Sequence, residues 1–205
     1  MNLQFRRADP GDVVKAIPLI HSSAVPFADY AYAVGRHTAI DYLRAAFVAG
    51  SGKLSYRGHV VAVLDGHVVE IGAFLRGAAY GRGRCKRIWR VIRFYGPLNC
   101  WTVLRRLTQL RRLWSLPGKD DLSIEHLGVM EDMRGKGIGS ALLANQIEMA
   151  RSKGIRRCIL DVAATNPRAQ ALYERLGYRV VGESKAHVRS AGIEVPKVKH
   201  MELVL

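Results

Sequence analysis

The sequence predicts a single α/β domain built on one mixed sheet, and three observations carry that prediction. Its 205 residues suit one domain with a sizeable core. Asp65-Gly66 stands between two alternating apolar runs, the strongest short-range signal for an antiparallel hairpin. Further on, the order strand, glycine turn, helix, strand, helix from Ile124 to Leu176 demands a crossover and therefore one parallel pair.

The elements follow in order. Leu3 to Arg7 alternates as a first strand, and Asp9-Pro10-Gly11-Asp12 turns the chain and caps a helix from Val13 to about Ser22. Pro26-Phe27-Ala28-Asp29-Tyr30 breaks that helix, a second runs from Thr38 to Phe47, and Gly50-Ser51-Gly52 ends it. His59 to Leu64 and His67 to Phe74 are the hairpin strands. Ser123 to Val129 is the fourth strand, Ile138 to Lys153 a helix with Gly154 at its end, and Arg157 to Val162 a buried fifth strand. Asn166-Pro167-Arg168 starts a helix through Tyr173 and Leu176. Arg179 to Glu183 and Val198 to Leu205 close the sheet across a polar loop, Ser184 to Val195, giving about seven strands.

Between the third and fourth strands lies a stretch of another kind. Arg76 to Lys119 carries twelve lysines and arginines and no aspartate or glutamate. Val103, Leu107, Leu110 and Trp114 recur at helical spacing, so Cys100 to Trp114 reads as a basic amphipathic helix, and Lys86 to Tyr95 as another. Its apolar stripe is expected to pack on the domain or on a second subunit. A nucleic-acid or membrane-surface role is the competing reading.

Composition sets limits. A hydrophobic share of 49% excludes global disorder, and a net charge of +15 implies an anionic partner. The first residues contain no apolar leader and no window approaches a membrane span, so a cytoplasmic protein is expected. Cys85, Cys100 and Cys158 have no metal-ligand spacing and read as reduced thiols.

The functional signal is Arg134-Gly135-Lys136-Gly137-Ile138-Gly139-Ser140, at a strand-to-helix turn. Backbone N–H groups at a helix start lack intrahelical partners and point, with the helix dipole, at an anion. Glycines let that anion approach. The pattern lacks the Gly-Lys-Ser/Thr of a P-loop. Arg134-x-x-Gly137-x-Gly139, preceded by Leu127-Gly128-Val129, resembles the acetyl-CoA signature of the GCN5-related N-acetyltransferase (GNAT) superfamily. Asn166-Pro-Arg-Ala-Gln-Ala-Leu-Tyr173 resembles its second half.

That resemblance implies a mostly antiparallel sheet with helices on both faces and splayed fourth and fifth strands, in one domain over residues 1–205 with the 76–119 insertion outside the common pattern. It implies acetyl-CoA as acyl donor and a primary amine of a small molecule or peptide as acceptor, attacking directly. Arg134 to Ser140 would hold the pyrophosphate, Leu127, Gly128 and Val129 the pantetheine through main-chain groups, and Asn166 would contact the same arm. Tyr173 would protonate the leaving sulfur, for which a neutral O–H is chemically suited. Glu125 is expected as general base or as a contact to a cationic acceptor. Strict alternation puts Glu125, Leu127 and Val129 on one face of the strand and His126 on the other. Asp29, Tyr30, Tyr32 and Asp41 are candidates for the acceptor mouth. The alternatives are a non-catalytic CoA-binding or RNA-associated module working through the insertion, and a homodimer formed by it.

Overall fold

The computed structural model describes residues 2–79, 84–185, 188–190 and 192–205. Residues 80–83 of the basic insertion and 186, 187 and 191 of the closing loop therefore lie outside the described residues. The strands are β1 (Leu3–Arg7), β2 (His59–Leu64), β3 (His67–Arg76), β4 (Asp121–Val129), β5 (Arg157–Ala163), β6 (Arg179–Glu183), β7 (Val188–Ser190), β8 (Ile193–Val195) and β9 (Val198–Val204). The helices are α1 (Val13–Ser23), α2 (Val25–Tyr32), α3 (Ala39–Val48), α4 (Arg84–Leu110), α5 (Ile138–Ser152) and α6 (Pro167–Arg175). Seven strands form one sheet in the order β1-β2-β3-β4-β5-β9-β6. Among the described residues only the β4–β5 pairing is parallel.

Pairing register assigns the faces. Phe74 lies opposite Ile124, and Ala73 opposite Glu125. On the Ile124 face, Leu143 and Ile147 of α5 and Tyr173 of α6 pack with Leu122, Leu160 and Met201. On the other, Ile17 and Ile20 of α1 and Leu43 and Phe47 of α3 pack on Val61 and Ile71. Helices thus cover both faces, as expected.

Two departures reshape β4. Its ladder with β5 runs only from Asp121–Arg157 to Ile124–Leu160, after which β5 continues to pair with β9 alone. The strands splay from there. On the β3 side, Ile71 pairs with Gly128 and Ala73 with Glu125, so two residues, His126 and Leu127, oppose the single Gly72. This is a bulge, and His126 takes the left-handed φ of 53° that it requires. Gly128 is then pressed against α1, where a Cβ would collide with the Leu19 carbonyl oxygen.

Further differences are local. Pro26 starts a helix where a break was expected: the chain breaks at Ala24 and Pro26 takes the first turn of α2, where a missing N–H costs nothing. The polar loop from Ser184 to Val195 contains the hairpin β7–β8, whose Val188 and Val195 are buried against Phe27 and Tyr30. Its alternation was too short to read as strands. The insertion carries the two basic helical segments expected, and they meet at a sharp kink at Gly96, whose φ of 72° and ψ of 175° are not helical and which Pro97 follows; α4 denotes the two together. Helical structure ends at Leu110 rather than Trp114, and Leu113 is buried in the turn that follows.

The insertion does pack its apolar stripe on the domain. Val91, Tyr95 and Val103 are buried with Tyr42 and Ala46 of α3, and Leu110 with Phe27 and Tyr30 of α2. Polar contacts fix it: the Tyr95 hydroxyl donates to the Tyr32 carbonyl at 2.7 Å, and Arg106 donates to the carbonyls of Tyr30 and Ala33, each at 3.0 Å.

Gly128→Ala is expected to lower the unfolding free energy by about 1–3 kcal/mol, the usual range for overpacking. At Gly182 a Cβ would meet only an ordinary contact, His200 at 3.5 Å. Gly182→Ala should therefore be neutral or slightly stabilising. Urea denaturation of both variants checks this, and equal losses would refute the assigned close approach of α1.

Candidate active site

The glycine turn has the geometry an anion needs. Gly135 and Gly137 have φ of 79° and 81°, and Gly137 caps α5 with no side-chain hydrogen bond. A Cβ on Gly137 would meet nothing within 4 Å, so the space above the helix start is open. Ile138 is buried with Ala62 and Val69 and anchors the turn to the sheet. Ser140 follows in the same first helical turn. Arg134 Nε donates to the Val129 carbonyl at 3.4 Å, tying the loop to the end of β4, and Lys136 is exposed.

Arg168 was missed from sequence. Its guanidinium lies 3.7 Å from where a Cβ of Gly135 would stand, which adds a third cation beside Arg134 and Lys136. Its place two residues after Asn166, in the first turn of a helix adjoining the turn, was the signal available. Asn166 itself caps α6, its Oδ1 accepting from the Ala169 N–H at 3.0 Å, which leaves its NH₂ group outside that contact.

Tyr173 is 9% exposed, on the α5 side of the sheet, with its ring edge-on to Tyr178 at 6.0 Å between centroids. Burial first, and the nearby Glu70 second, push its phenol up to about 12. It therefore carries its proton at neutral pH. Glu70, opposite Val129 in the β3–β4 register, is fully buried, and neither carboxyl oxygen has a hydrogen-bond partner among the described residues. A Cβ on Gly139 would stand 3.3 Å from Glu70 Oε1, so the carboxyl lies directly beneath the first turn of α5. Desolvation raises it to about 8. A lone carboxylate inside Val68-Val69-Glu70-Ile71 was visible in sequence, but its neighbours come from other elements.

The bulge corrects the expected alternation in β4. Leu127 and Val129 share the face of α5 and Tyr173, Leu127 packing with that core and Val129 lying 3.9 Å from the Cβ position of Gly139. Glu125 faces the opposite side, with Ala73 and the α1–α3 layer. His126 is on the Glu125 side as well, its ring stacked on His59 at 5.6 Å. Burial depresses both imidazoles, His59 to about 3, and His126 Nδ1 has no partner among the described residues.

Around Glu125 a polar cluster forms under the insertion. Lys53 Nζ donates to Glu125 Oε1 at 3.1 Å and the Ser123 hydroxyl to the same oxygen at 3.2 Å. Tyr32, whose hydroxyl is raised by burial, lies within electrostatic reach of Glu125 and Arg87. Across the splay, Asp161 of β5 accepts from the Ser115 N–H and hydroxyl, both at 2.9 Å. Of the four mouth candidates only Tyr32 joins this cluster. Tyr30 is core, donating to Gln109 at 2.6 Å, Asp41 belongs to the capping box of α3, and Asp29 meets His21 at 2.8 Å.

The arrangement has two sides: an open helix start, a neutral phenol and the Leu127–Val129 end of β4 lie on one, and a carboxylate with tyrosine and lysine on the other. The gap between β4 and β5 joins them.

Comparison with known proteins shows the family and the likeness of fold. Residues 34–178 match the family model described as Acetyltransferase (GNAT) family. N-acetyltransferase 8B of Homo sapiens is 36% identical over 67 residues, 33% of this chain and 30% of that protein. L-methionine sulfoximine/L-methionine sulfone acetyltransferase of Pseudomonas aeruginosa is 36% identical over 62 residues, 30% of this chain and 36% of that protein. The match thus spans about a third of each relative's length. An N-acetyltransferase structure from Staphylococcus aureus Mu50 superposes with a TM-score of 0.68 at 18% identity, covering 98% of this chain and 100% of that one, which is likeness of fold.

Glu70 makes a pH prediction. Between 4.5, the ordinary glutamate value, and about 8 the native chain holds the proton and the unfolded chain has lost it. Stability contributed here is therefore complete at acid pH and falls as pH rises, at on the order of 1.4 kcal/mol per unit. Glu70→Gln removes this component. Thermal unfolding should show the variant gaining on the wild type from about pH 5 to about pH 8. A pH-independent difference would contradict the burial of an unpaired carboxyl.

Proposed function

The chain belongs to the acetyltransferase (GNAT) family, and we propose that it transfers an acetyl group from acetyl-CoA to a primary amine of a small molecule or peptide by direct attack. The observation that carries this reading is the gap between β4 and β5, with Tyr173 and the open glycine turn on one face and Glu125 on the other.

The residues present fit the donor. Gly135 and Gly137 leave room for a diphosphate, Gly139 lets the helix start close on Glu70, Gly137 to Ser140 offer main-chain N–H groups at the start of α5, and Arg134, Lys136 and Arg168 supply positive charge. Beyond Ile124, β4 has no ladder partner on the β5 side among the described residues, so its main chain from Leu127 to Val129 is offered to the amides of a pantetheine arm. Asn166 is placed to add a donor. An N–H at the end of β4, near Val129, faces the position where negative charge grows on the thioester oxygen, and a fixed donor is worth most there.

Proton movement divides between the two faces. Glu125 binds the incoming ammonium in place of Lys53 and receives its proton, directly or through water, and the neutral amine then attacks through the gap. As the carbon–sulfur bond breaks, Tyr173 delivers its proton to the sulfur. Burial keeps that phenol protonated until the thiolate forms. The acetyl group leaves as an amide and CoA as a thiol. The reaction is assigned to the cytoplasm, where thiols such as those of Cys85, Cys100 and Cys158 stay reduced.

Tyr173→Phe tests the assignment of the acid. With an accepting amine found by a panel screen, kcat should fall about 10²–10⁴-fold, the usual worth of a placed acid, while acetyl-CoA affinity by titration calorimetry stays close to wild type. Gly137→Trp should instead abolish binding. Wild-type protein that binds no acetyl-CoA would overturn the reading, and full turnover by Tyr173→Phe would remove the tyrosine from it.

A further inference from the structure

We propose that the outward face of α4 docks this protein on a bilayer surface rich in anionic phospholipid. After α4 has buried its apolar stripe, large apolar side chains are left over. Trp89 is 66% exposed, Leu98 88% and Trp101 72%. Leu98, Trp101 and Arg105 follow one another at i, i+3 and i+7 and share one side of the helix beyond the Gly96 bend. Trp89 and Arg93 project from the segment before it. Along this stretch every charged side chain is basic, since Arg76 to Lys119 contains no carboxylate.

An ordinary solvated helix in the same molecule looks different. On α5 the exposed Arg151 pairs with Glu148 at 2.6 Å, opposite charges alternating. The α4 surface instead combines unpaired arginines with exposed indoles and an aliphatic side chain, the composition of a helix lying in a headgroup layer. Beside it, between α3 and the first half of α4, is a groove of about 450 Å³ with Ala45 and Ala49 on one side and Lys86, Arg90, Arg93, Trp89 and Phe94 on the other. Arg90 is held there by the Ser51 carbonyl and hydroxyl at 2.8 and 2.7 Å. A groove with a cationic rim and aromatic walls suits a phosphate headgroup.

Charge and shape separate this partner from the others. A second copy would bring the same all-cationic face, and like charges at a self-complementary contact repel. Nucleic acid would satisfy the arginines and could stack on Trp89, but it offers nothing for Leu98, which gains only from hydrocarbon. No helix among the described residues is long and apolar enough to cross a membrane, so the contact is peripheral.

Sedimentation of the full chain with large vesicles tests it. Vesicles of phosphatidylcholine with about 30% phosphatidylglycerol should bind the protein, pure phosphatidylcholine should not, and added salt should weaken the binding. Tryptophan emission should shift to the blue on binding. The triple variant Trp89→Ala, Leu98→Ala, Trp101→Ala removes only exposed side chains; it should keep the wild-type melting temperature and lose at least about tenfold in partitioning. Arg93→Glu with Arg105→Glu should also lose binding while leaving the apolar residues in place. The proposal fails if anionic vesicles are not bound, or if the triple variant partitions like wild type. It equally fails if the face proves to bind RNA with a steep salt slope and no vesicles, or to hold a dimer that the triple variant dissociates.

Discussion

Beyond Ile124 the β5-facing edge of β4 has no strand to pair with, although both strands continue. Unpaired peptide groups inside a domain must be answered by water or by a guest, and an extended arm carrying its own amides answers them as a strand would. The bulge at His126 belongs to the same constraint. By adding one residue against β3 it bends β4 away from β5 and turns Glu125 to the face opposite Val129. α1 then supports the bent strand through Gly128, whose missing side chain lets the Leu19 carbonyl close on it. The gap, the two-faced site and the packing of the first helix are one piece of geometry.

Two glutamates less than a strand apart live in opposite conditions. Glu70 is sealed beneath the start of α5 without a partner, and desolvation favours its neutral form. Neutrality leaves the positive end of α5 uncompensated from below. Glu125 is matched with Lys53 and Ser123 on the wetter side. One carboxyl can thus sit beneath the start of α5 while the other meets a cation, the environment and not the residue type deciding which does which.

How much could be read in advance follows from how local each feature is. The glycine turn was legible because Gly135 and Gly137 occupy φ values that their own sequence advertises, and Tyr173 because a capped, periodic helix fixes its phase. The bulge was not. Glu-His-Leu-Gly-Val reads as an alternating strand, and only its pairing with Gly72, more than 50 residues away in sequence, reveals the extra residue. Lys53 reaches Glu125 across 72 residues and carries no mark in its own neighbourhood, whereas Arg168 is marked only by its place in the first turn of the helix that Asn166 caps. The insertion was legible as cation and as two helical segments, because Gly96-Pro97 interrupts the periodicity where the backbone leaves the helix.

At the far edge of the sheet, β6 leaves Val180 and Val181 43% and 56% exposed beside backbone groups without a neighbour on that side. An open edge of this kind invites a strand from another molecule, and here the bulge between Val180 and Gly182, with Arg179 and Glu183 at the ends, blunts it. A second safeguard is the net charge of +15, which holds copies apart. Salt shrinks its reach to about 10 Å at 0.1 M and less above. Handling the protein is therefore a compromise: concentrated salt strips adventitious polyanions from it, and the same screening leaves the bulge as the remaining guard of the β6 edge.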